Sequence, residues 1–235
     1  MPLIRSAVLL ALLAVAANVW AARPMVTDDA RIVDAKACQV ESWMRAERHG
    51  TNQFWAVPAC TPIDNFEITV GGNLERSAGH ERMADSFLQF KSMLRPLRTN
   101  DWGLALSLLR SVERGLEPGT RDATSHNLNL PVSVSLRDDA LVLHVNAGLR
   151  DDRLTRRTHA TWGLGSELVL RERLQLITET YGESGQRPFV HGGLRYWLVP
   201  DRVQFDTTVG AQTRFGGGVR WFTIGVRVLS PAFLP

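Results

Sequence analysis

The sequence predicts an all-β fold: a closed, antiparallel, up-and-down transmembrane β-barrel of about 12 strands. Three observations lead there. Apolar and polar residues alternate with period two through most of the chain after residue 36, as in strands with one apolar face. Most alternating runs cover 9–13 residues; a globular strand is usually about 5–6 residues long, whereas a tilted bilayer-crossing strand needs about 9–11. Finally, short and long connections largely alternate along the chain, as in barrels with tight turns at one end and larger loops at the other.

Residues 1–22 read as a targeting segment. Arg5 supplies the positive start, Ala7 to Ala17 the apolar run, and Val19-Trp20-Ala21 a cleavage pattern that places the cut after Ala21 or Ala22. A membrane-anchor helix is the competing reading, but the apolar run is short for a bilayer. Residues 23–35 follow as an N-terminal periplasmic segment, and 36–235 form the barrel domain. Its expected strands are 36–46, 51–60, 65–75, 83–95, 101–112, 124–136, 140–150, 158–170, 173–182, 187–198, 201–211 and 219–230. Leu141-Leu143-Val145-Ala147-Leu149, which leaves His144, Asn146 and Gly148 on the other face, is typical. Connections such as Thr61–Asp64, Arg137–Asp139 and Arg171–Glu172 are short. Those at Arg76–Arg82, Val112–Ala123 and Gln212–Gly218 are longer and polar. An even number of strands puts both chain ends on the periplasmic side; ten or fourteen strands would fit the pattern too.

Composition narrows the function classes. The net charge is only +3, too weak and too spread for a nucleic-acid footprint. No stretch after the targeting segment is long enough for a transmembrane helix, so any membrane crossing requires a closed barrel. Cys38 and Cys60, two cysteines in an exported chain, invite one structural disulfide. They are symmetric about residue 49, inside the first proposed loop, so a simple hairpin sets them opposite one another, as it does Trp43 and Trp55. Two free thiols are the alternative.

Signals of catalysis are absent. There is no Gly-x-Ser-x-Gly elbow, and Ser125-His126 in a strand would point to opposite faces. There is no HExxH, CxxC or EF-hand spacing, and Gly216-Gly217-Gly218 precedes no helix. The sequence therefore suggests no enzyme, catalytic residue, metal or cofactor.

The polar face carries more information. From residue 158 onward it presents Glu167, Gln175, Glu179, His191, Arg195, Gln204, Asp206 and Arg227, preceded by Glu41, Arg45, Glu67, Asp85, Gln89 and Lys91. In a barrel these side chains point inward. Glu167, Glu179, His191, Arg195, Asp206 and Arg227 are the lumen-lining candidates. They would line a narrow pore or a solute site, or else interlock as salt bridges that fill the interior. Trp102, Trp162, Tyr196, Phe205 and Phe222 lie on the apolar face, where an aromatic girdle would sit.

Three segments carry a family resemblance. They are Arg23–Asp34 with Cys38-Gln39-Val40-Glu41-Ser42-Trp43, then Trp55-Ala56-Val57-Pro58-Ala59-Cys60, and Gly193–Gln204. Together they resemble a group of proteobacterial outer-membrane barrels related to the transporter-like proteins of the MetA pathway of phenol degradation. The resemblance implies location in the outer membrane and a transport role. One departure is the C-terminus: such barrels end in an aromatic residue read by the barrel-assembly machinery, whereas here Phe233 lies two residues early. The expected function is a channel or transporter-like protein for small solutes in the cell outer membrane. Its partners would be outer-membrane lipid and lipopolysaccharide, the assembly machinery and a small-molecule solute, with no nucleic acid. The competing readings are an interaction barrel with a salt-bridged, plugged lumen, and a soluble periplasmic barrel that binds a ligand among apolar side chains.

Overall fold

The structure is a computed structural model and describes residues 25–48, 50–77, 80–114, 122–213 and 218–235. The targeting segment, its cleavage site, His49, Arg121 and Gly216-Gly217 lie outside the described residues.

The described chain forms one closed antiparallel barrel of twelve strands. They are β1 (Cys38–Glu47), β2 (Asn52–Ile63), β3 (Phe66–Ser77), β4 (His80–Arg95), β5 (Trp102–Glu113) and β6 (Ala123–Leu136), followed by β7 (Leu141–Asp152), β8 (Arg157–Arg171), β9 (Leu174–Glu183), β10 (Phe189–Val199), β11 (Val203–Gln212) and β12 (Arg220–Leu229). Every expected run corresponds to one of these strands, with ends displaced by no more than three residues. The sheet closes where β1 pairs with β12, with Glu41 opposite Arg227 and Trp43 opposite Gly225. Closure leaves no sheet edge with unpaired backbone groups.

Alternation decides which way each side chain points. Val40, Leu143, Val145, Leu164, Leu194, Ile224 and Val228 are exposed on the outer surface. Their polar strand neighbours, including Glu41, His144, Asn146, Arg195 and Arg227, are buried within. A soluble barrel with an apolar interior would place its faces in the opposite sense. Trp102, Tyr196 and Phe205 lie on the outside near the end with the short turns, and Trp162 and Phe222 lie nearer the other end.

Both the start of β1 and the end of β12 are at the turn end. Tight connections there use left-handed backbone where the residue tolerates it: Asn65 in the Ile63–Phe66 hairpin has φ 62°. One connection at the loop end differs from expectation. Residues 76–82 were expected as a longer loop, yet β3 and β4 stay paired out to Ser77 opposite His80. The Arg82–Glu75 ion pair, at 3.0 Å, favours continuing the ladder over opening a loop.

Cys38 and Cys60 are cross-strand partners joined by a disulfide. Five residues further along the hairpin, Trp43 stacks on Trp55, with ring centroids 5.4 Å apart and planes 7° apart. The bond fastens β1 to β2 at the turn end. Because it closes a loop of sequence separation 22, the Cys38→Ser/Cys60→Ser double variant should lose about 2–3 kcal/mol of unfolding stability. Urea unfolding followed by gel mobility measures that loss, and thiol titration of the denatured, unreduced wild type should find no reactive cysteine.

Candidate functional site

Among the described residues, the lumen is filled at one end and hollow at the other. Residues 23–35, expected to lie on the periplasmic side of the barrel, take a different course from Met25 onward: the described part runs inside the barrel. From Ala37 at the turn end, the chain climbs to about half the barrel's height at Met25. Successive backbone groups dock on inward-facing side chains of several strands. Val33 N donates to Glu67 at 2.9 Å, Ala30 N to Ser133 at 2.8 Å, and Asp28 N to Asn146 at 2.8 Å. Val26 N and Thr27 N donate to the two carboxylate oxygens of Glu179, at 2.9 and 2.7 Å. Met25, Thr27, Asp29, Ala30 and Val33 are all buried. The segment has no ladder of its own, so the carboxylates and amides of the wall accept its backbone N–H groups instead.

Charge pairing reinforces the docking. Lys91 reaches Asp28 at 2.8 Å and Asp29 at 3.1 Å. Arg31 meets Glu167 at 3.3 Å, and the same carboxylate receives Arg195 at 2.8 Å. Burial by itself would raise the Asp29 carboxyl, but Lys91 and Arg31 beside it outweigh burial and hold it below its ordinary value of 3.8. Space matters as well. On β8 the inward positions Gly163 and Gly165 face Thr27 and Met25, and a Cβ on Gly163 would sit 2.7 Å from Thr27 Oγ1.

Each of the six lumen candidates lies on the inner wall, below or beside the vestibule described next. Glu167 joins Arg31 and Arg195, with His144 at 3.7 Å. Glu179 holds the segment and also bonds His191 Nδ1 at 2.6 Å, while His191 Nε2 meets Thr208. Arg227, fully buried, donates to Gln39 at 2.8 Å and stands 3.5 Å from Glu41. Asp206 faces inward opposite Arg195 on the paired strand. The structure thus divides them. Glu167 and Glu179 belong to the seat of the segment, whereas Arg195, Asp206 and Arg227 belong to the wall of β10, β11 and β12. Ser125 is buried and His126 exposed, so the adjacent pair builds no dyad.

Above the segment, toward the loop end, lies a cavity of about 660 Å³. Met25, Val26, Thr27 and Asp28 are its floor. One side is aromatic: Trp43 on Trp55, Trp55 beside Phe87, and Tyr181 stacked on Phe189 at 5.3 Å, which leans on Trp221. The Arg45 guanidinium covers Trp221 at 4.3 Å and pairs with Glu47 at 2.8 Å. Inward-facing Gly210 leaves the room in which the Trp221 indole lies flat. The opposite side is neutral and polar, with Gln89, Ser107, Asn127, Asn129, Asn146 and Thr161. Near the rim, Arg150 binds Glu183 through two bonds of 2.8 and 2.9 Å. Sequence reasoning placed Trp43 opposite Trp55 but missed this ring cluster. The available signal was aromatic residues at inward positions: Trp43, Trp55, Tyr181, Phe189 and Trp221 all share the parity of the polar face.

Comparisons with known proteins agree with this architecture. The chain belongs to the family described as uncharacterised conserved protein UCP029691, whose model matches residues 8–229. A search of curated sequences finds no match. Among solved structures, the chain is similar to the KdgM porin in complex with disordered oligogalacturonate, with a TM-score of 0.63 at 8% identity, covering 81% of this chain and 98% of the porin. It is likewise similar to the NanC porin, with a TM-score of 0.61 at 10% identity and the same coverages of 81% and 98%. At these identities the likeness is one of fold: a twelve-stranded porin-like barrel.

Lys91→Met would remove the ammonium that Asp28 and Asp29 share inside the barrel, at a cost of about 3–5 kcal/mol. The segment should then become accessible to protease in folded barrels, while Lys91→Arg should keep it protected. Acid should act in the same direction. The lowered Asp29 carboxyl contributes stability above its unfolded value and loses it as pH falls through the folded one. Protection of the wild-type segment should therefore persist through the ordinary carboxylate range and fail only in stronger acid.

Proposed function

We propose that the protein is an outer-membrane channel for small solutes whose inner half is closed by its own N-terminal segment. The observation that carries this reading is the segment from Met25 to Val33, bound inside the lumen beneath an open vestibule. The turn end, with the start of β1 and the end of β12, would face the periplasm and the loop end the exterior. An apolar outer surface with aromatic residues toward both ends supports a bilayer setting, and the disulfide supports an oxidising compartment. The porin-like fold and the resemblance to transporter-like proteins of the MetA pathway point the same way. An exported chain would reach that site through the targeting segment at 1–22, and lipid, lipopolysaccharide and the assembly machinery would be its partners there.

One specific observation favours a channel over a permanently filled barrel. A wall that served only as filler would satisfy its own polar groups. Here fully buried Gln204 has neither amide atom hydrogen-bonded among the described residues, and beside it Glu41 faces only the Arg227 guanidinium, at 3.5 Å. With Asp206, Arg195 and Arg227 they form a polar strip on β1 and β10 to β12, while the segment's own bonds run to β2, β3, β4 and β6 to β9. A solute would pass along that strip when the segment shifts.

Planar-bilayer recording tests this. The mature chain should show little or brief conductance. Deletion of 25–35, or Gly163→Leu, which pushes on Thr27, should raise open-channel conductance at least several-fold. A deletion variant that folds as a heat-modifiable barrel yet stays silent would refute the channel reading in favour of a plugged interaction barrel.

A further inference from the structure

We infer that the vestibule is a binding site for a neutral carbohydrate, a step that rests on the reading of the barrel as a solute channel. Its two walls differ in kind. Trp43, Trp55 and Trp221 line one side with aromatic surface, and across the cavity Asn127 and Asn129 bring neutral amides. A sugar ring has the matching pair of surfaces: C–H groups that lie on aromatic faces, and hydroxyls that both donate to and accept from amides. An aromatic hydrocarbon would use the rings and leave the remaining hydrogen-bonding capacity of Asn127 and Asn129 unmet, which is costly once water is displaced. An acidic sugar such as a uronate would need an uncommitted cation, yet the two arginines on the cavity are engaged. Arg45 pairs with Glu47 and covers Trp221, and Arg150 is held by Glu183 through two bonds. The selectivity is therefore for an uncharged polyol surface. At about 660 Å³ the cavity falls within the roughly 300–1,000 Å³ typical of small-molecule sites.

The floor of the site is the segment itself, Met25 to Asp28, with Asn146 bonding both the Asp28 N–H and the Asp28 carbonyl. An occupant therefore touches the plug as well as the wall.

Tryptophan emission of the folded barrel in detergent micelles reads binding directly, because Trp43, Trp55 and Trp221 line the site. Maltotriose should produce a saturable change. Trigalacturonate should bind at least tenfold more weakly, and phenol should give no saturable change. Asn127→Ala and Trp55→Leu should each weaken maltotriose about tenfold, while Trp102→Phe, on the outer surface, should leave its affinity unchanged. Heat-modifiable gel mobility confirms that each variant is folded, and Asn127→Ala keeps the test valid if Trp55→Leu does not fold. Tighter binding of trigalacturonate or phenol, or no saturable change with maltotriose in a folded wild-type barrel, overturns the inference. Micelle binding is independent of conductance, so a silent bilayer with a saturable maltotriose signal would reject the channel and keep the site. The converse result would reject the site alone.

Discussion

The number of strands sets the problem that the rest of the molecule solves. Eight strands enclose a space that side chains alone can fill, and sixteen or more leave a water-filled channel. Twelve lie between these limits. The wall therefore needs an additional occupant or must stay wet. In this protein the occupant comes from the chain itself. A stretch without secondary structure fills the half of the barrel next to the short turns, and the remaining half stays hollow.

That choice explains the interior chemistry. A segment without a hydrogen-bonding partner strand can be buried only if the wall supplies acceptors. Glu67, Ser133, Asn146 and Glu179 do so from four separate strands. Carboxylates used this way need cations nearby, which Lys91, Arg31 and Arg195 provide. Charge therefore concentrates in the filled half. In the hollow half, by contrast, rings and neutral amides predominate, and the charged groups at the cavity are paired with one another.

The strands were legible in the sequence because their constraint is periodic. Leu141 to Leu149 alternates so regularly that a slip of one residue would exchange its two faces. Residue symmetry about position 49 was enough to pair Cys38 with Cys60. The inward faces of Glu167, Glu179, His191, Arg195, Asp206 and Arg227 followed from the same parity, but their partners did not, because these come from remote strands and from residues 25–37. The course of that segment was not legible at all. It binds mainly through backbone N–H groups, which every residue except proline carries, so it leaves no side-chain pattern to read. Gly163 and Gly165 were visible only as glycines within a strand; their meaning depends on Thr27 and Met25 lying against them. The β3–β4 connection was misjudged because its charged residues look like a loop until Glu75 and Arg82 are seen to pair across it.

The start of β1 and the C-terminal tail meet where the segment leaves the lumen. Cys38 and Ser230 exchange backbone and side-chain hydrogen bonds, and the amides of Phe233 and Leu234 both donate to the Lys36 carbonyl. The barrel seam runs between the first strand and the last, so it cannot zip shut until the final residues arrive. The strand pair that closes the barrel and the passage through which the segment enters it therefore share one spot, and the tail beyond β12 latches both.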